Sequence, residues 1–153
     1  MLRAAIAEAR AFESWQDYQA ALERAIAPLS EEQLQRRLIP GLRTPGEIAE
    51  HIVFGRALHL HRTLGEGTEE LTPFLLWEDT DDPPHTAAEI VHGLELTWRF
   101  ITHYLMRGTS SDTIPEEELP VMQTIWGLVD HDLPHAGEIS LLLGADGIAG
   151  VEI

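Results

Sequence analysis

The sequence predicts an all-α fold: a four-helix bundle with crossover connections and short extra helices. Three observations carry this. Apolar residues recur at helical spacing in four long stretches, and no run alternates strictly over the length of a strand. Helix signals bound those stretches. Thr44-Pro45-Gly46-Glu47 and Thr86-Ala87-Ala88-Glu89 read as capping boxes, and Gly65 and Gly144 read as stops. Two substantial connections separate the helices, as crossovers in a bundle require.

The first helix is expected from about Leu2 to Ile26. Phe12, Trp15, Leu22 and Ile26 share one face, and Pro28 ends the run. Ser14 is a candidate N-cap that would divide this stretch in two. Ser30 opens a short helix over SEEQLQRRL, which Pro40-Gly41 closes. The second long helix starts at the Thr44 box, with Pro45 at its first position, and runs to about Leu64. Ile48, His51, Gly55 and Leu58 lie on one stripe of it.

Residues 65–85, GEGTEELTPFLLWEDTDDPPH, read as the longest irregular stretch. A loop of this length in a small domain is functional or a crossover. Phe74, Leu75, Leu76 and Trp77 are too apolar for solvent and are expected over one end of the core. The third helix follows the Thr86 box and ends near Gly108, with Ile90, Leu94, Trp98, Ile101 and Leu105 as its core stripe. After the loop TSSDTIPEEELP, the last helix is expected from about Val121 to Leu143. Its stripe is Leu128, His131, His135, Glu138 and Leu142. Helices of ~20 residues span ~30 Å, which suits a bundle.

The chain has 153 residues, the length of one domain, and is read as a single domain over residues 1–153. It contains no cysteine, which excludes disulfides, thiolate metal ligands and a cysteine nucleophile. Ten Lys and Arg stand against 26 Asp and Glu, a formal net charge of −16. That balance argues against nucleic acid, whose phosphates need a basic patch, and disfavours an anionic membrane surface. No stretch approaches the ~20 apolar residues of a membrane span. The opening residues MLRAAIAEARAFESW are charged and amphipathic, unlike a signal peptide. A soluble, cytoplasmic protein is expected. At 44% hydrophobic residues the chain is too apolar for disorder.

Two histidines stand where apolar residues belong. His131 and His135 are four apart, so their side chains stack on one helix face and can share a metal ion. His51 holds the matching inward position on the second long helix. Together they make a candidate three-histidine site, against the alternative of hydrogen-bonded core histidines. Imidazole ligands favour zinc, nickel, copper or iron over magnesium or calcium. His59, His61, His85, His92 and His103 read as surface or loop residues, with His59, two turns beyond His51, the exception to watch.

The segments TPGEIAEHIVFGR and VDHDLPHAGEISLLLG, about 80 residues apart, resemble the DinB/YfiT-like superfamily in order and spacing. The resemblance implies a DinB-like four-helix bundle and a divalent metal, zinc or nickel foremost. Its three ligands would be His51, His131 and His135. Some members of that superfamily are transferases or isomerases that use low-molecular-weight thiols such as bacillithiol or mycothiol.

Several neighbours bear on this site. Pro134 stands between the two histidines of the pair, removing the N–H that would bond the Asp130 carbonyl. It is either a tolerated kink or a way to free that carbonyl for orienting a ligand or water. Glu138, one turn after His135, is the candidate catalytic residue. It is open to three roles: fourth ligand, general base, or acceptor for an imidazole N–H. Pairing with an arginine is the plain alternative. Asp132 is read as flanking the site, and Glu47 as a capping residue. Gly55, one turn after His51, either opens a pocket or permits close helix packing.

Three functions are weighed. The first is a metal-dependent transferase acting with a low-molecular-weight thiol on a small-molecule substrate. Its weakness is the lack of an obvious basic pocket, for which Arg43, Arg56, Arg62, Arg99 and Arg107 are the candidates. The second is a non-enzymatic, metal-stabilised helical stress or interaction module. The third, a metal hydrolase, ranks lower. HDLPH shares its outer histidines with the zincin helix but puts Asp where the Glu base stands and inserts a proline. Trp15, Trp77, Trp98 and Trp126 exceed what one small core requires. One or two are therefore expected in a pocket or interface, and a homodimer is expected.

Overall fold

The computed structural model describes residues 2–79, 81–108 and 119–152, with side chains described over 13–79, 81–105 and 120–152. The helices are α1 (Leu2–Ile26), α2 (Glu31–Gln35), α3 (Pro45–Leu64), α4 (Ala87–Gly108) and α5 (Leu119–Ala145). A 3₁₀ helix, Glu69–Leu76, lies between α3 and α4. No strand occurs among the described residues, so the predicted all-α class holds. No helix among them is long and apolar enough to cross a membrane.

α1 is one continuous helix, so Ser14 does not divide it. It stands exposed on a helix whose next residue, Trp15, is buried, and that packing outweighs a cap in mid-helix. Trp15, Tyr18, Leu22 and Ile26 form the inward stripe. The Phe12 side chain and the loop TSSDTIPEEE lie outside the described residues. α2 carries a capping box of its own, with Ser30 Oγ accepting the Gln33 N–H and Gln33 Oε1 accepting the Ser30 N–H.

α3 begins and ends where its local signals place it. Thr44 Oγ1 accepts the Glu47 N–H at 3.1 Å, and Glu47 Oε2 accepts the Thr44 N–H at 2.7 Å. At the other end Gly65 takes a φ of 69°, the left-handed geometry that favours glycine. The Thr86–Glu89 box closes in the same way at the start of α4. Ile90, Leu94, Ile101 and Leu105 are buried on α4 as predicted, and Trp98 is half-buried. α5 continues through Pro134 and past Gly144 to Ala145.

The stretch after Gly65 is not wholly irregular. Leu71 and Phe74 of the 3₁₀ helix are buried against the core, while Leu76 is exposed. Phe74 meets Trp77 edge to face at 5.0 Å. Of the other tryptophans, Trp15 packs against Trp98 at 5.2 Å and Trp126 at 6.4 Å, and Trp126 remains partly exposed. The most extensive helix pairing is α3 with α5, and it positions the site.

Candidate metal centre

The two inward stripes of α3 and α5 meet at their histidines. The ring centroids of His51 and His131 lie 5.1 Å apart, those of His51 and His135 4.8 Å, and those of His131 and His135 4.8 Å. This is nearly an equilateral triangle. One ligand atom from each ring lies within 4.8 Å of the others, and His51 Nε2 stands 3.2 Å from His131 Nε2. Nitrogens about 2.0–2.1 Å from a shared tetrahedral ion lie about 3.3–3.4 Å apart, and the His51–His131 edge is close to that separation. The three side chains are 19–28% exposed, so the cluster is reachable from solvent.

Each imidazole carries a carboxylate on its other nitrogen. Glu78 accepts from His51 Nδ1. Asp132 Oδ1 lies 3.1 Å from His131 Nδ1, and Glu138 Oε2 lies 3.2 Å from His135 Nδ1. A proton on Nδ1 leaves the Nε2 lone pair for a metal, and a carboxylate partner fixes that tautomer and the ring orientation. Three such pairs around one point are the donor chemistry of a metal centre. Burial, the largest influence, holds the His51 pKa below the ordinary imidazole value despite the pull of Glu78. Arg43 and His135 lower it further. The neutral form is the one that ligates.

The structure thus brings the three predicted histidines together and gives Glu138 one of its predicted positions. It bonds to His135 and stands outside the converging set, so it is not placed as a fourth ligand. Of the remaining histidines, His59, His92 and His103 are exposed, and His61 bonds to Thr68 Oγ1. His85 is a loop residue, as read, but its ring stacks on Trp77 at 4.0 Å and is largely enclosed. Two residues before Pro134, the Asp132 backbone carbonyl is held by Tyr18, whose hydroxyl donates to it, not to Asp130, at 3.2 Å.

Gly55 does not open a pocket. A Cβ there would come within 2.9 Å of His131 Cε1, so the space a side chain would fill is taken by the His131 ring. Close packing is what the glycine provides.

Asp132 is more than a flanking residue. Its side chain is fully buried, and Oδ2 receives Arg56 Nε at 2.6 Å while Oδ1 faces His131. Arg56, also fully buried, gives NH1 to Gln19 Oε1 at 2.7 Å. It is therefore committed to the core and is not part of a basic pocket. Arg99 pairs with Glu70, and the Arg107 side chain lies outside the described residues. Glu78 is the contributor that sequence reasoning missed, and Arg56, named there for a basic pocket, is instead the buried partner of Asp132. The one signal that pointed toward Glu78 was the length of the connection carrying it.

The chain matches the family model of the DinB superfamily over residues 14–139. It belongs to that superfamily. No curated protein and no solved structure gives a significant match.

Proposed function

We propose that the chain binds one divalent metal through His51, His131 and His135 and uses it as a transferase acting with a low-molecular-weight thiol. The observation that carries the metal is the triangle of imidazoles, each with a carboxylate on Nδ1. The donor set suits zinc, nickel, copper or iron, and zinc or nickel is the ion proposed. Bound there, the metal would supply Lewis acidity and lower the pKa of an incoming thiol. Three protein ligands leave room in the coordination sphere for that thiol. We assign to Glu138, half exposed and hydrogen-bonded to His135, the proton the thiol loses. The chain has no cysteine to compete for the metal.

The test is cobalt substitution. Adding a thiol, bacillithiol and mycothiol among those tried, is expected to raise sulfur-to-metal charge-transfer bands that the His135→Ala variant lacks. An unchanged spectrum with every thiol removes the transferase and leaves a metal-stabilised interaction module. We further propose a homodimer, favoured by Trp126 and Leu133. They lie one heptad apart on α5 and are 42% and 47% exposed. Light scattering during gel filtration reads it directly.

A further inference from the structure

Beside His135 and Glu138 the surface opens into a cleft of about 420 Å³. Its other lining is mostly aliphatic: Ile48 from α3, Leu141 and Leu142 from α5, and Leu42 from the connection before α3. Leu42 and Leu141 are 52% and 68% exposed, so apolar area there stays in water unless something covers it. The volume lies in the range of small-molecule sites, which pair apolar walls with a few placed polar groups.

The polar groups of this cleft are His135, Glu138 and Arg43, and Arg43 is the arginine among them. It has no carboxylate partner among the described residues, although the chain holds 26 Asp and Glu. Arg43 also borders a second cleft, lined by Glu47, Glu50 and Glu78 among others. Asp79 and Asp82 line it too, and neither pairs with Arg43; the three glutamates are engaged elsewhere. Glu47 caps α3 and pairs with Arg37, Glu50 accepts the His85 N–H, and Glu78 holds His51. Glu138 is likewise turned to His135.

We propose that the cleft binds an apolar molecule bearing a single carboxylate, its body on Leu42, Ile48, Leu141 and Leu142 and its head on Arg43. This deepens the transferase reading by naming the class of second substrate, and it rests on that reading only for the role of its place beside His135. A guanidinium recognises a carboxylate by two parallel hydrogen bonds. An aliphatic wall gains from each methylene it takes out of water.

Calorimetric titration of the full chain with octanoate, octanol and octylamine tests it, with metal content measured on the same samples. Octanoate is expected to bind most tightly. Arg43→Gln should weaken octanoate about tenfold, the size of one lost charge-assisted contact at a partly exposed site, and leave octanol unchanged. Leu141→Asp, at an exposed position, should weaken both. Neither variant should lose metal. Octylamine binding tighter than octanoate overturns the proposal, as does octanoate binding Arg43→Gln as well as it binds the original chain. Octanoate lost on chelation but indifferent to Arg43 puts the carboxylate on the metal and also overturns it. A chain that holds no metal yet binds octanoate through Arg43 and Leu141 sinks the metal reading and leaves the cleft assignment standing.

Discussion

Arg56 Nε lies 2.6 Å from Asp132 Oδ2, and neither side chain has any exposure to solvent. The pair links α3 to α5 one residue after Gly55 and one residue after His131. Because Asp132 turns its second oxygen to His131 Nδ1, the ion pair also orients a candidate ligand. A charge so buried is tolerable only while its partner is present.

Removing one member of the pair should therefore cost more than removing both. Asp132→Asn or Arg56→Met is expected to destabilise the fold by about 3–5 kcal/mol, the usual cost of an orphaned buried charge. The double variant Arg56→Met/Asp132→Leu should recover part of that loss. Denaturant unfolding with a double-mutant cycle measures the coupling. Additive single effects would show that the two groups act independently.

Metal content should follow the three histidines. His51→Ala, His131→Ala and His135→Ala are each expected to lower the bound metal sharply from one ion per chain, whereas His92→Ala, at an exposed position, should not. Elemental analysis of the purified proteins decides this. Full occupancy in the His131→Ala/His135→Ala double variant would falsify the centre.

Glu78→Gln should weaken metal affinity about 10–100-fold, as loss of a carboxylate behind a ligating imidazole does. Glu78 is 39% exposed and outside the core, so the unfolding midpoint of the metal-free protein should barely move. A variant that binds metal as tightly as the original chain would show that Glu78 does not orient His51.

Gly55→Ala sets two effects against each other. Alanine favours a helix interior by about 1 kcal/mol over glycine. Its Cβ, however, meets His131 Cε1 at 2.9 Å, and the ring must turn aside. The expected outcome is a folded protein with reduced metal affinity, measured by competition with a chelating dye. Unaltered affinity would mean that the ring has room to move without leaving the triangle.

Acid should release the metal as pH falls through about 6–7, because protons compete with it for imidazole nitrogen, whose reference pKa is ~6.5. His51 is held below that value by burial, so its neutral form is favoured in the folded chain. The sign follows from the unfolded chain binding its proton first. The contribution of His51 to stability is present above pH ~6.5 and declines as pH drops below it. Metal titrations and thermal melts at pH 5.5 and pH 8 check both parts, and equal affinity at the two would contradict the first.

The helices and the histidine triad were legible in the sequence because both are local in origin. Thr44, Glu47 and Gly65 fix the limits of α3 through bonds spanning a few residues. The spacing of His131 and His135 puts them on one face whatever packs against it. Membership of the inward stripe then carried His51 to the same point. The tertiary structure alone decided what stands behind and beside those rings. Glu78 reaches His51 because the connection after Gly65 forms a 3₁₀ helix and turns back over α3. Arg56 is a core residue and not a surface cation because Asp132 and Gln19 meet it inside the bundle. Among the described residues Arg43 pairs with no carboxylate, while Glu47, Glu50 and Glu78 near it are held by other partners. Periodicity assigns a residue to a face, but its partner across the core depends on how helices and loops settle against one another, which no short stretch of sequence contains.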